Sequence, residues 1–348
     1  MIVLRGPMDA TGEPLDAGTG TLMSGKPVGD ETSPRGQPAR SAGRTVQLLE
    51  VARSFYIDEE PKVAIAKRLG ISRFAVSRLL EQARSAGLVR IDIRPPADVD
   101  FALSSALMHK AGLRRAIVLP ATDPTSELTV LAEAAASYLV EAGTSEDVLG
   151  LVAGRTTSRI LDRIGELPGR SIVQLSGVSR ATYFEHNPAE TIRAMAMRFR
   201  GQTFPIYAPL LLADAALVAS LREQIGIADS IAQFQKLTRV LFSVGAWKQD
   251  GSGVFESLDE AARAEGAGAG ATAEILGHIF DAAGLRICRS ISERCLTISY
   301  EDFSVVPDRV AVGGYARAEA VLACVRAKAA TTLVTDAKTA QFVLDSLP

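Results

Sequence analysis

The amino-acid sequence predicts an α/β protein in two ordered parts: a small basic helical unit, then a larger domain on a mostly parallel sheet with helices on both faces. Three observations carry that prediction. Between Ile71 and Pro96 the chain passes from helical spacing (Val76, Leu79, Leu80, Ala83) to an apolar–polar alternation from Leu88 to Arg94. Beyond Arg115, short apolar runs alternate with longer helical patterns, as βαβ units do. Positive charge is gathered in one place: Arg44 to Arg94 holds ten Lys/Arg against six Asp/Glu, while the 348-residue chain has a formal charge of -2.

Residues 1–43 are rich in Gly, Pro, Ser and Thr and show no periodic apolar face. They read as a disordered leader, because such a segment buries too little to offset the entropy of ordering it. Order is expected from Arg44, where TVQLLEVARSFYI sets Val46, Leu49, Val51, Ala52 and Phe55 at helical spacing. Pro61 suits the first turn of a second helix, Ala64, Ile65, Ala66 and Leu69 form its apolar side, and Gly70 closes it. Ser72 stands at the cap of a third helix, Gly87 stops it, and the ribbon that follows ends at Pro95-Pro96. This unit is bounded at 44–96. VDFALSSALMHKAGL then reads as a linker helix at 97–112, and the larger domain spans 113–348.

Within that domain AIVLP (116–120), VLGLVAG (148–154), SIVQLSG (171–177), TFPIYAP (203–209), TRVLFSVG (238–245), RVAVGG (309–314) and TTLVTD (331–336) read as strands. Several are apolar throughout, as strands buried on both faces tend to be. Helical patterns fall at 127–142, 155–164, 189–200 and 316–328, which implies a Rossmann-like, doubly wound sheet. The Gly-Ala tract at 266–271 reads as a loop. Trp247, in VGAWKQDGSG, reads as a loop anchor or as a side chain over a pocket.

Composition excludes several classes. Hydrophobic content is 47% and charged content 22%, enough to fill real cores. Cys288, Cys295 and Cys324 form no CxxC pair, and His109, His186 and His278 are scattered, so neither a disulfide framework nor a metal set can be built. Nothing asks for a cofactor. No run of 18 apolar residues and no secretory pattern occurs, so the expected location is cytoplasmic, without a membrane partner.

The helix pair 62–69 and 72–85 fits a helix-turn-helix. That motif needs a small residue at the crossing, a residue tolerant of the turn and apolar locks on the second helix; Ala66, Gly70, Val76 and Leu79 supply them. The spacing leaves Ser72, Arg73, Phe74, Ser77 and Arg78 outward, where such motifs enter the major groove. Arginine there can pair with guanine edges, while serine and backbone amides hold phosphates. The ribbon becomes a wing with Arg90 and Arg94 near the DNA backbone. A helical hairpin with solvated arginines is the plainer alternative, but the concentrated charge and the ribbon favour a winged reader of double-stranded DNA.

The segment AIAKRLGISRFAVSRLLEQARSAGLVRIDI resembles the DNA-binding part of SorC-type sugar-binding transcriptional regulators. The resemblance continues in family order through LRRAIVLP, GLVAGRTTSRI, VQLSG, YAPLLL, LGHIFDAAG, ERCLTIS, VAVGGYARAEAVLA and LVTD, covering roughly residues 44–345. It implies an effector domain similar to sugar-phosphate isomerases, a homotetramer, and operator binding controlled by a sugar or phosphosugar.

Candidate ligand residues follow. In VAGRTTSR a strand gives way at Gly154 to a helix opened by Arg155, Thr156 and Thr157, an arrangement suited to anions. Read locally it is an ordinary capped turn; the resemblance places the family's phosphosugar-binding turn here. Gly313, Gly314 and Arg317 form a second anion element, with Arg317 where the family usually has lysine, so a planar guanidinium replaces a point charge. Glu274 matches a position where the family holds sugar hydroxyls, and Gln174, Ser176 and Gly177, at the end of the VQLSG strand, are further candidates. RSISERCLTI departs from the family's Asp-Leu-Asn-Asp-Arg run, keeping Glu293 and Arg294 but having Ser290 for the first aspartate, so the sugar's identity does not carry over. Glu274 and His278, four apart, read as a helix-face contact rather than a catalytic dyad. No catalytic residue is expected. The rival reading, an isomerase-like enzyme with an appended nucleic-acid module, lacks a second acid placed beside Glu274.

Overall fold

The computed structural model describes residues 2–3, 42–91, 98–120, 126–152, 154–167, 169, 171–179, 193 and 201–348. Packing divides the chain into two units, Met1–Arg94 and Pro95–Pro348.

In the first unit α1 (Ala42–Tyr56), α2 (Lys62–Leu69) and α3 (Arg73–Ser85) surround one small core containing Val51, Ala52, Ile65, Val76, Leu80 and Ala83. Gly70 has φ 64°, a left-handed conformation that glycine reaches without a Cβ penalty. It lets the Ile71 N–H return to the Ala66 carbonyl at 3.0 Å, which ends α2. Ser72 then starts α3, its Oγ accepting the Ala75 N–H at 3.1 Å. Inside the expected leader a short strand, β1 (Ile2–Val3), pairs antiparallel with β2 (Arg90–Ile91). Composition could not show this pairing, because two residues carry no period. The rest of the leader up to residue 41, and Arg94, lie outside the described residues.

The second unit opens with α4 (Phe101–Ala111), capped by the Asp100 carboxylate on the Leu103 N–H at 3.0 Å. The seven apolar runs supply seven strands: β3 (Arg115–Leu119), β4 (Val148–Leu151), β5 (Ser171–Gln174), β6 (Gln202–Phe204), β7 (Arg239–Ser243), β12 (Asp308–Val312) and β13 (Thr332–Asp336). They form one parallel sheet in the order β3-β13-β12-β7-β4-β5-β6. Both faces are covered, which is why the runs are apolar throughout. Val240 and Phe242 of β7 join one core and Leu241 the other, where α5 (Glu127–Ala142) and α6 (Arg155–Leu161) pack. Burying each such side chain contributes about 1.5–3 kcal/mol.

Four further strands were not read from the sequence. β8 (Gly245–Ala246), β9 (Ala271–Ile275), β10 (His278–Asp281) and β11 (Arg286–Ile287) form an antiparallel sheet in the order β11-β10-β9-β8, entered directly from β7 through Val244. Two expectations change as a result. Glu274 and His278 share no helix face but lie on β9 and β10, joined by a turn in which Leu276 and Gly277 have φ 55° and 83°. The Gly-Ala tract is helical up to Gly268, because Asp259 caps a helix over Glu260–Gly268 by accepting the Ala262 N–H at 2.8 Å. Gly266 packs under the Trp247 ring, where a Cβ would lie 2.3 Å from the indole Cζ2. The expected helix at 189–200 lies outside the described residues except for Arg193.

Strand order sets the place of the site. From β4 the chain steps outward through β5 to β6, and from β7 it steps the other way through β12 to β13. β4 and β7 are neighbours, so a crevice opens beyond their carboxyl ends, the switch point where such sheets bind ligands.

Candidate functional site

A cavity of about 280 Å³ occupies that crevice. Gly154, Arg155 and Thr156 reach it from the end of β4, Ser176 and Gly177 from β5, Gly245 from β8, Glu274 from β9 and Arg317 from the segment after β12. Its remaining side is the Asp250–Gly253 loop, which the sequence reading did not single out although a Gly-rich DGSG after a strand is a usable signal.

Glu274 is the acceptor of the cavity. Gly245 lies opposite it across β8 and β9, and a Cβ there would sit 3.0 Å from Glu274 Oε2, so glycine makes room for the carboxylate. The Gly277 N–H donates to Oε1 at 2.6 Å and the Ser252 hydroxyl to Oε2 at 2.9 Å. Ser252 in turn accepts the Phe255 N–H at 3.1 Å, which fixes its hydroxyl. Burial pushes the Glu274 carboxyl above the usual carboxylate range; the Gly277 and Ser252 bonds and the charge of Arg317 pull it back. A held carboxylate of this kind accepts hydroxyl hydrogen bonds.

Two arginines also line the cavity. Arg155 donates to the Asp250 carbonyl at 3.0 Å and Arg317 to the Val244 carbonyl at 2.9 Å. Burial and then the nearby charge of Arg155 depress the Arg317 guanidinium. Two like charges drawn together at the rim of a cavity are relieved by an anion. An adjoining cleft of about 270 Å³ shares Arg155, Thr156 and Arg317 and is lined by Gly313 and Gly314.

Two expected residues face elsewhere. Gln174 is fully buried, accepting the Ile206 N–H at 3.1 Å and donating to the Ser176 carbonyl at 2.7 Å, so its amide ties β5 to the 206 segment. Thr157 is buried in α6 outside the cavity lining, one residue beyond Thr156. His278 also turns away: its Nε2 lies 3.0 Å from the Ile298 carbonyl and its ring packs against Tyr300.

In the first unit Arg73, Phe74, Arg78 and Arg90 are exposed and Ser77 is half-buried. Phe74 is 79% exposed, on the same outer face of α3 as Arg73. Ser72 spends its oxygen on the α3 cap, which leaves its hydroxyl hydrogen for another acceptor. Among the described residues no group of His, Cys, Asp and Glu could hold a metal, and no helix is long and apolar enough to cross a membrane.

Fold and site together define a class: an α/β ligand-binding domain with its cavity at a sheet switch point, preceded by a separate helical unit with a basic outward face. The "Putative sugar-binding domain" family model matches residues 96–345. The Deoxyribonucleoside regulator of Bacillus subtilis (strain 168) is 30% identical over 311 residues, 86% of this chain and 97% of that protein. The Transcriptional regulator LsrR of Enterobacter sp. (strain 638) is 26% identical over 305 residues, 85% of this chain and 92% of that protein. The full-length sorbitol operon regulator SorC from Klebsiella pneumoniae has the same fold, with a TM-score of 0.66 at 18% identity over 87% of this chain and 100% of that one. The chain belongs to the SorC family of sugar-binding transcriptional regulators.

Proposed function

We propose that the chain binds double-stranded operator DNA through Ser72, Arg73, Phe74, Ser77, Arg78 and Arg90, and that a phosphorylated sugar in the switch-point cavity changes that binding. The observation that carries the reading is that one cavity holds a buried carboxylate, Glu274, together with two guanidinium groups, Arg155 and Arg317. Sugar hydroxyls suit the carboxylate, and a phosphate suits guanidinium groups through charge-assisted hydrogen bonds. The family resemblance supports a cytoplasmic homotetramer.

No catalytic step is assigned. An isomerase moves a proton with a positioned acid–base pair; His278 is engaged with the Ile298 carbonyl, while Asp250 and Glu256 line the cavity with Glu274, so turnover has to be measured. The test is an operator selected from a randomised duplex pool, titrated with the protein in the presence of sugars and of their phosphates. A phosphorylated sugar that shifts operator affinity and is recovered unchanged supports the regulator. Conversion of the sugar phosphate without an effect on DNA binding supports the enzyme.

A further inference from the structure

Glu127 lines the cleft that adjoins the cavity and shares Arg155, Thr156 and Arg317 with it. It begins α5, and its Oε1 accepts the Tyr315 N–H at 3.0 Å. The carboxyl group covers Gly314 so closely that a Cβ there would lie 2.6 Å from Glu127 Cδ. The cleft around it presents Arg155, Arg159 and Arg317. A carboxylate seated on a backbone amide, in a cleft that three guanidinium groups also line, fills a position that the amide offers to any anion.

Resting on the reading of the cavity as a phosphosugar site, we infer that Glu127 is the resident anion of this cleft, a carboxylate that an incoming ligand phosphate must displace from the Tyr315 N–H. One amide hydrogen cannot serve two anions, and an ionised carboxylate beside a phosphate in a half-buried cleft repels it. A neutral sugar has no group that competes for the amide. Glu127 therefore sets how strongly the site prefers phosphorylated over neutral ligands, and a phosphate binds only by moving the start of α5 or turning the Glu127 side chain out. The Glu127 carboxyl lies above its ordinary range, raised by burial and then by the charge of Asp336 and a side-chain hydrogen bond with it, while the Tyr315 N–H and Lys338 oppose the rise.

Glu127→Gln tests this, because it keeps an oxygen for the Tyr315 N–H and removes only the charge. Inorganic sulfate is the probe, titrated calorimetrically into the full-length parent, Glu127→Gln and Arg317→Ala. Sulfate is expected to bind roughly tenfold tighter to Glu127→Gln, the effect of removing one coupled like charge, and more weakly to Arg317→Ala. Glu127→Ala, which removes charge and acceptor together, is expected to bind at least as tightly as Glu127→Gln and serves if the first variant folds poorly. Unchanged or weaker sulfate binding in both Glu127 variants, with binding lost in Arg317→Ala, overturns the inference and leaves the anion site standing. Binding unaffected by Arg317→Ala, or absent from all the proteins, overturns the anion site and the inference together.

Discussion

His278 shows what a single residue contributes once its surroundings are known. Four positions after Glu274, it reads from the sequence as a helix-face neighbour of that residue, yet its ring is buried against Tyr300 and its Nε2–H donates to the Ile298 carbonyl. Burial lowers its pKa from 6.5 to about 4. The folded state therefore resists protonation while the unfolded state accepts it, so stability is present above the unfolded pKa and is lost as the pH falls from about 6.5 to about 4. The size is about 3 kcal/mol, taking 1.4 kcal/mol per unit. Denaturant unfolding near neutral pH and near pH 4 should show the parent losing that much more than His278→Gln, whose amide can still donate to Ile298; equal losses would remove His278 as the cause. Gln174 teaches the same limit: a polar residue at the carboxyl end of a strand reads alike whether it faces a ligand or, as here, the Ile206 backbone. Glu127 left no local signal, since its partner Tyr315 is 188 positions away.

At the scale of elements, legibility followed length and period. The inner strands of the parallel sheet were readable because burial on both faces leaves continuous apolar runs; the edge strand β6, with Gln202 and Thr203, is exposed to half-buried and was readable only within the longer run TFPIYAP. The antiparallel sheet was not: β8 and β11 are two residues each, too short for a period, and β9 mixes Thr and Glu274 with alanine. The α2–α3 pair was readable through Ala66, Gly70 and Val76, which packing demands at fixed spacing. Its cap gives a prediction that separates folding from recognition. Ser72→Ala removes the acceptor of the Ala75 N–H and should cost about 1 kcal/mol of stability in the first unit. Arg73→Ala and Arg78→Ala remove exposed side chains and should leave melting unchanged, while each lowers specific operator affinity by roughly 1–3 kcal/mol if it makes a bidentate base contact. Gel shifts at equal salt decide this. Parent-like affinity in both arginine variants would exclude the outer face of α3 as the reading surface.

If, as proposed, the first unit reads DNA and the second binds the effector, thermodynamics limits how the two can communicate. An effector shifts operator binding only by its differential affinity for the DNA-bound and free states. The coupling is reciprocal: whatever factor the effector imposes on operator affinity, the operator imposes on effector affinity. Arg317 belongs to the Pro95–Pro348 unit and lines the cavity, so Arg317→Ala should weaken the phosphosugar more than the same sugar without phosphate. Thr156→Val should act in the same direction but less, because the backbone amides at the start of α6 remain. Operator affinity without ligand should match the parent within about twofold in both variants, since neither residue belongs to the unit that contains α3; higher phosphosugar concentrations should then restore the parent's full shift. Measuring phosphosugar affinity with and without a saturating operator duplex closes the cycle. If the two factors agree, one coupling free energy links the units. If Arg317→Ala instead abolishes operator binding in the absence of any sugar, the residue supports the DNA-bound state itself, and the division of labour between the two units falls.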